Sequence, residues 1–214
     1  MQDMSRGRFI TFEGGEGCGK STQLRRLHDA LARRGARVVL TREPGGTPLA
    51  ESIRSLLKDA SGEPPCDVSE LMLFLAARAQ LVRKVIRPAL ESGAWVLSDR
   101  FSDSTVAYQG YGRGLPLDEV RRANDFACGG LSPDLTVLLA ASPEVAAARM
   151  RRREADTGTA ADRIERAGDD FHARLQKGFE SLAAAEPERI KVVDADGTPD
   201  EVWSRIWNLV KPLI

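Results

Sequence analysis

The chain has 214 residues, of which 42% are hydrophobic and 29% charged, and its 31 basic and 31 acidic side chains balance to a net charge of zero. The length suits one domain with a sizeable core, and the balanced charge gives no argument for binding nucleic acid or a membrane surface. Cys18, Cys66 and Cys128 have no metal or redox spacing, and the N-terminus has no apolar signal core, so we expect free thiols, a cytoplasmic location and no membrane span.

Short apolar segments alternate with helical patterns along the chain. The predicted strands are residues 8–12, 38–40, 95–97, 135–139 and 190–193. The predicted helices with defined bounds are 20–34, 105–111, 117–127, 143–153, 171–186 and 199–210. Thr47 opens a further helix, and another long helix follows Ser69 and runs through Leu81, with Pro88 expected either to kink it or to divide it from the next segment. Residues 154–168 are predicted as a polar, mobile loop.

This alternation predicts an α/β fold, a five-stranded parallel sheet flanked by helices on both faces, in a single domain over residues 1–214. Right-handed crossovers place the carboxyl ends of all parallel strands along one edge of the sheet, where ligands bind. We therefore look for functional residues just after each predicted strand.

The first strand runs into a phosphate-loop motif. Residues 12–22 read FEGGEGCGKST, and Gly14, Gly19, Lys20 and Ser21 match G-x-x-x-x-G-K-[ST] between a predicted strand and a predicted helix. Glycines let backbone N–H groups converge on a phosphate, Lys20 would reach the β- and γ-phosphates, and Ser21 would bind Mg²⁺. The predicted phosphate loop comprises Gly14, Gly15, Glu16, Gly17, Cys18, Gly19, Lys20, Ser21 and Thr22.

The third strand narrows the class of phosphate-loop protein. The chain has no Asn-Lys pair for the guanine-reading N-K-x-D of GTPases, and the strand ends in WVLSDR rather than in the paired acids of motor ATPases. Asp99 could hold Mg²⁺ or its waters, and the adjacent Arg100 suggests a second phosphate group nearby. An exposed Asp–Arg pair at a strand end is the alternative.

Two further pairs have helical spacing. Phe74 and Arg78 lie four residues apart in LMLFLAAR and could take a nucleobase and a phosphate, or they could be a core ring and a surface arginine. Thr105 and Gln109, with Tyr108 beside them, are also four apart. A glutamine amide has a donor and an acceptor that match an imide edge such as that of thymine or uracil, although a polar helix surface has the same pattern.

Taken together, these segments resemble the bacterial thymidylate kinases. The shared stretches, in order, are FEGGEGCGKST, TREPGGT (41–47), LFLAAR, SDRFSDSTVAYQGYGRG (98–114), SPDLTVLL (132–139) and DRIE (162–165). REPGGT and the DRF–DS–AYQG set are more specific than the phosphate loop alone. The resemblance implies a phosphate-loop NTPase fold of the nucleoside-monophosphate kinase type, with ATP as phosphoryl donor and Mg²⁺ as cofactor in the conversion of dTMP to dTDP.

The resemblance also implies which residues hold the acceptor phosphate. Arg54, Arg78 and Arg100 would bind the 5′-phosphate of dTMP. Asp99 and Glu43 would support the metal and the arginines.

The same resemblance implies contacts to the base and sugar of dTMP. Phe74 would stack on thymine, and Thr105 and Gln109 would form hydrogen bonds to it. Tyr108 would pack near the sugar and disfavour a 2′-hydroxyl, and Glu16 would face a sugar hydroxyl rather than the ATP phosphates.

A short lid, roughly residues 149–168, completes the expected site. The phosphate loop carries no arginine, so Arg153 and Arg163 of the lid are expected to reach the phosphates on closure and to exclude water. The expected catalytic residues are Lys20, Asp99, Arg100, Arg153 and Arg163. Relatives are typically homodimers, and we expect the same here.

Two alternatives stay open at this stage. One is another nucleoside-monophosphate or deoxynucleoside kinase on the same fold, against which Thr105, Gln109 and REPGGT argue. The other is a regulator that senses ATP without transferring phosphate, which would have no use for the separate set of Arg54, Arg78 and Arg100.

Overall fold

The computed structural model of the protein describes residues 7–59, 62–158 and 168–214. Its centre is a five-stranded sheet in the order β2-β3-β1-β4-β5, with every neighbouring pair parallel. The strands are β1 Phe9–Glu13, β2 Val38–Arg42, β3 Trp95–Asp99, β4 Leu135–Ala140 and β5 Ile190–Asp194. The predicted fold class is therefore confirmed.

Helices cover both faces of this sheet. They are α1 Lys20–Ala32, α2 Pro48–Lys58, α3 Asp67–Leu81, α4 Arg87–Glu91, α5 Ser102–Thr105, α6 Leu117–Cys128, α7 Pro143–Thr157, α8 Asp169–Ala185 and α9 Pro199–Val210, with a 3₁₀ turn at Lys211–Leu213. Within the three described ranges, no helix is long and apolar enough to cross a bilayer.

The fully buried central strand β1 divides the core into two sides. Ile10 packs in one cluster with Leu27 of α1 and Ile206 of α9. Phe9 packs on the other side, in a cluster that includes Ile86. Because successive side chains of a strand point to opposite faces, the run FITFE buries its apolar side chains on both sides, as a central parallel strand requires.

The register of the paired strands aligns their carboxyl ends along one edge of the sheet. Phe12 of β1 lies beside Asp99 of β3 on one side and Val137 of β4 on the other. Glu13, Asp99 and Arg42 thus end their strands at the same edge of the sheet, where the phosphate loop begins.

Pro88 does not divide its helix, because the helical backbone runs on through it. α3 continues into a π-helical segment, Val82–Ile86, and then into α4. Proline lacks an N–H, and its ring clashes with the carbonyl four residues earlier, so a wider turn just before it relieves the conflict. The predicted helix 105–111 starts three residues earlier than expected, as α5, and is π-helical over Val106–Gly112.

The prediction of a loop from Glu154 onward is wrong for its first residues. Helix α7 continues to Thr157 and ends at Gly158, whose φ of 64° is the left-handed conformation common after a helix. Arg152 and Asp156, four residues apart, form an ion pair of 3.7 Å that supports the added turn. Residues 159–167 of the predicted lid, including Arg163, lie outside the described residues.

Candidate active site

A cavity of about 820 Å³ lies at the carboxyl edge of the sheet. Phosphate-loop residues 16–22 form one wall, and Arg42, Glu43, Asp99 and Arg100 lie at or just beyond the ends of β2 and β3. Helices α3 and α7 contribute further residues. Nearly all of the predicted site residues in the described ranges therefore line one cavity, although they come from five separate segments of the chain.

The path of the phosphate loop requires glycine. Gly14, Gly17 and Gly19 have φ values of 128°, 71° and 95°. A Cβ on Gly14 would lie 2.4 Å from the carbonyl oxygen of Leu139, and one on Gly17 would lie 2.4 Å from that of Ala146. L-residues rarely adopt these φ values, and Gly14 and Gly17 also have no space for a side chain, so the backbone geometry requires glycine at these positions.

Lys20 is buried at the start of α1, beneath the loop. Its Nζ donates to the carbonyl oxygens of Gly14 at 3.0 Å and Gly15 at 2.7 Å. Burial and Arg100 oppose its charge, but neighbouring acidic groups, including the Glu16 carboxylate, raise the pKa of Lys20 above its ordinary value. A cation is thus held in the loop.

Ser21, at the start of α1, contacts Asp99, at the end of β3. The Ser21 hydroxyl donates to Oδ2 of Asp99 at 2.9 Å, so a hydroxyl oxygen and a carboxylate oxygen are adjacent. Oxygen ligands of this kind suit Mg²⁺, which usually keeps water and phosphate oxygens in its shell. Across the described ranges no cluster of three or more His, Cys, Asp or Glu side chains could hold a metal ion.

Arg100 connects the end of β3 to the phosphate loop. Its backbone has a φ of 72°, unusual for a residue with a side chain, and its guanidinium donates to the Gly14 carbonyl at 3.0 Å and to Oε1 of Glu16 at 2.5 Å. Arg153 of α7 approaches Oε2 of Glu16 at 3.7 Å. Burial raises the pKa of Glu16, but Arg100, Lys20 and Arg153 outweigh it and lower that pKa to about 2. Glu16 is therefore a carboxylate between two arginines.

Glu13 was not singled out from the sequence, yet it organises this turn. Its Oε1 accepts from the backbone N–H groups of Phe101 at 2.8 Å and Ser104 at 3.3 Å, and its Oε2 accepts from the Ser104 hydroxyl at 2.6 Å. Burial and the neighbouring Asp103 raise the pKa of Glu13 to about 7. In the sequence, only the position of this acid at the end of a hydrophobic strand points to a role. Its partners, Phe101 and Ser104, lie 88 and 91 residues further along the chain.

Arg78 lines the cavity and is almost fully buried. Its Nε and Nη2 donate to the same oxygen of Glu43, and Nη2 also donates to the Phe101 carbonyl. Its Nη1 donates to Oγ1 of Thr105 at 2.7 Å and Oδ1 of Asn124 at 2.5 Å. Every nitrogen of the guanidinium therefore has a protein partner, and Arg78 joins four segments of the chain.

The other predicted acceptor residues line the same cavity. Arg54 donates to the Pro44 carbonyl at 2.9 Å, and Phe74 is half-buried in the wall. Tyr108 is buried with the Arg100 guanidinium 5.0 Å above its ring.

Helix α7 contributes a second arginine, Arg149, to the cavity. Arg149 donates to the carbonyl oxygens of Ala195 and Gly197, each at 3.0 Å, and to that of Cys18 at 3.5 Å. It thereby joins the phosphate loop to the loop after β5. Arg149 and Arg153 both turn toward the cavity.

Comparisons with known proteins agree with the geometry. The family model described as thymidylate kinase matches residues 12–206. The chain is 52% identical over 204 residues to a thymidylate kinase of Synechococcus sp. (strain JA-3-3Ab), with 95% of each chain covered. It is 49% identical over 208 residues to one of Nitratidesulfovibrio vulgaris, covering 96% of this chain and 97% of the relative.

A solved structure leads to the same family. The crystal structure of thymidylate kinase from Ehrlichia chaffeensis superposes with a TM-score of 0.77 at 34% identity, covering 96% of this chain and 99% of the other. The resemblance read from the motifs is thus confirmed. The chain belongs to the thymidylate kinase family.

Proposed function

We propose that this protein is a dTMP kinase, which transfers the γ-phosphoryl group of ATP to the 5′-phosphate of dTMP. The observation that carries the proposal is the contact of Arg100 with the phosphate loop at Gly14 and Glu16. An acceptor-side cation and the loop cation Lys20 line one cavity, as in-line transfer between two phosphates requires.

On the donor side, the backbone of loop 14–22 would cradle the ATP phosphates and Lys20 would move from its carbonyl partners to the β- and γ-phosphates. Ser21 and Asp99 would hold Mg²⁺, which when bound supplies positive charge to the phosphates. We expect adenine to bind near Arg149, which lies between the phosphate loop and the loop after β5.

On the acceptor side, Arg54 and Arg100 would bind the 5′-phosphate. Arg78 also lines the cavity, and its bonds to Glu43 and Thr105 make it the support of this wall as well. The residues proposed to contact the nucleoside are Glu16, Phe74, Thr105, Tyr108 and Gln109.

The chemistry follows from charge. The acceptor phosphate is already an anion at neutral pH, so no general base is needed, and catalysis consists of aligning and neutralising two polyanions. Lys20 and Arg100 would do this from fixed positions. Arg153 and Arg163 would approach when the lid closes, which also excludes water and suppresses ATP hydrolysis.

The test is an ADP-release assay with dTMP, dUMP, UMP, CMP and AMP as acceptors. We expect dTMP to be preferred and Lys20→Met, which keeps the bulk of the side chain and removes its charge, to abolish release. Turnover with none of the acceptors would rule out the kinase, and preference for UMP or CMP would assign the chain to a sibling activity.

We also propose that the protein acts as a cytoplasmic homodimer without nucleic-acid or membrane partners. Its three cysteines are unpaired, which is usual in a reducing compartment. Helices α3 and α6 pack against each other and expose Val68, Met72 and Phe126, the last 82% exposed, as apolar contacts for a second copy. Sedimentation of wild type and Phe126→Ser tests this, and a monomeric wild type would contradict it.

A further inference from the structure

The carboxamide of Gln109 is tied to a carboxylate. Its Nε2 donates to Oε1 of Glu70 at 3.0 Å. Gln109 lines the nucleotide cavity, and both residues are 1% exposed. The donor end of the side chain is therefore held toward α3 by a bond that water does not weaken.

Glu70 is itself held by an arginine. Arg113, four residues after Gln109, donates through Nε to Oε1 of Glu70 at 3.1 Å and through Nη2 to Oε2 at 3.0 Å. Such a two-point pair fixes the plane of the carboxylate as well as its position. Asp67 lies at the margin of this pair, 3.7 Å from Arg113 and 53% exposed.

A carboxylate only accepts hydrogen bonds, so it decides which way the amide faces. With Nε2 toward Glu70, Oε1 occupies the other branch of Cδ. The flipped amide would place two acceptors in contact in a buried site, which is strongly unfavourable. The orientation of Gln109 is thus a consequence of Glu70.

We infer that Glu70, clamped by Arg113, is a positioning residue that fixes the Gln109 carboxamide and so selects acceptor bases with an N–H at ring position 3. This inference rests on the proposed function, in which the base contacts Gln109. Thymine and uracil present that N–H to Oε1. Cytosine presents a bare N3 there, so two hydrogen-bond acceptors would face each other across the fixed amide oxygen.

The placement of Glu70 on α3 supports this role. Glu70, Phe74 and Arg78 follow one another at intervals of four residues, so they lie on one face of the helix. Phe74, Arg78 and Gln109 all line the cavity. The residue that orients the amide is therefore carried by the helix that carries the aromatic platform proposed for the base.

The experiment compares kcat/KM for dTMP and dCMP in wild type, Glu70→Gln and a matched control, Asp67→Asn. Glu70→Gln keeps the shape of the side chain, but its amide can pair with the Gln109 carboxamide in either orientation. We therefore expect the ratio of kcat/KM for dCMP to kcat/KM for dTMP to rise about tenfold or more. The change is expected mainly in KM for dTMP, with kcat less affected. Asp67→Asn also removes a carboxylate near Arg113 but does not touch Gln109, and its ratio is expected to match wild type.

Each outcome decides one question. An unchanged ratio in Glu70→Gln, or an equal rise in Asp67→Asn, would overturn the inference. If Glu70→Gln does not fold, the ratio in Arg113→Lys decides instead, since a single-point partner leaves the carboxylate free to rotate and a smaller rise is expected. A wild type that uses neither nucleotide would refute the proposed function itself, which is a different result.

Discussion

The buried carboxyl of Glu13 makes a quantitative prediction about stability. Burial and Asp103 raise its pKa from 4.5 to about 7, while Arg100 and the hydrogen bonds from Ser104 and Phe101 offset part of that rise. Glu13→Gln removes the ionisation and keeps the shape. The perturbation therefore isolates the cost of carrying a charge at this position.

The sign and size follow from linkage. The folded state binds the proton more tightly than the unfolded state, so Glu13 favours folding fully below pH 4.5 and loses that contribution as the pH rises to about 7. Each pH unit between the two pKa values is worth about 1.4 kcal/mol. The contribution lost across the window is about 3 kcal/mol, and it stays lost above pH 7.

Urea unfolding of wild type and Glu13→Gln at several pH values between 4.5 and 8 measures this directly. The wild-type free energy of unfolding, minus that of the variant, should fall by about 3 kcal/mol across the window, because titrating groups that do not interact with Glu13 cancel in the difference. Ser104→Ala serves as the matched variant. Its lost hydroxyl normally lowers the pKa of Glu13, so the window should move to higher pH. Parallel profiles for wild type and Glu13→Gln would refute the reasoning.

Three predictions concern catalysis. Glu16→Ala should lower kcat/KM for dTMP about tenfold or more but change the Kd for ATP far less, because Glu16 holds Arg100; equal losses would contradict this. Phe74→Ala should raise KM for dTMP about tenfold, in line with the free energy of stacking a base on an aromatic ring. An unchanged KM would show that Phe74 does not stack on the base. Arg153→Ala and Arg163→Ala should each lower the rate constant of phosphoryl transfer, measured in single-turnover assays, by about a hundredfold. Normal turnover in both variants would show that these two arginines do not act on the phosphates.

Local and periodic features of the fold were predictable from the sequence. The strands of the sheet are short apolar runs between turn residues, and the phosphate loop is a contiguous motif, so residues that act together there are also neighbours in the chain. The placement of Asp99 and Arg100 beside that loop followed from one topological rule, that parallel strands end at a common edge.

Long-range polar pairing was not predictable. Nothing near Arg78 in the sequence shows that Glu43 and Asn124, 35 and 46 residues away, take its donors. Likewise, the sequence alone predicts that Gln109 offers both a donor and an acceptor to the base. In the structure its donor binds Glu70, which lies 39 residues away on another helix and could not be identified as a partner from the sequence. Such pairs depend on how helices rotate against the sheet, which single-residue patterns do not encode.

Helix α3 has a practical consequence for inhibition. Its inner side carries Phe74 and Arg78 at the cavity, and its outer side exposes Val68 and Met72, which are 53% and 54% accessible. One hydrogen-bonded backbone links the two sides, so a compound that displaces the helix from outside also displaces the wall of the nucleotide cleft. Since Val68 and Met72 are also the proposed contacts of a second copy, a compound bound to the outer side of α3 would compete with that copy rather than with ATP, and it would avoid the charged surface of the phosphate pocket.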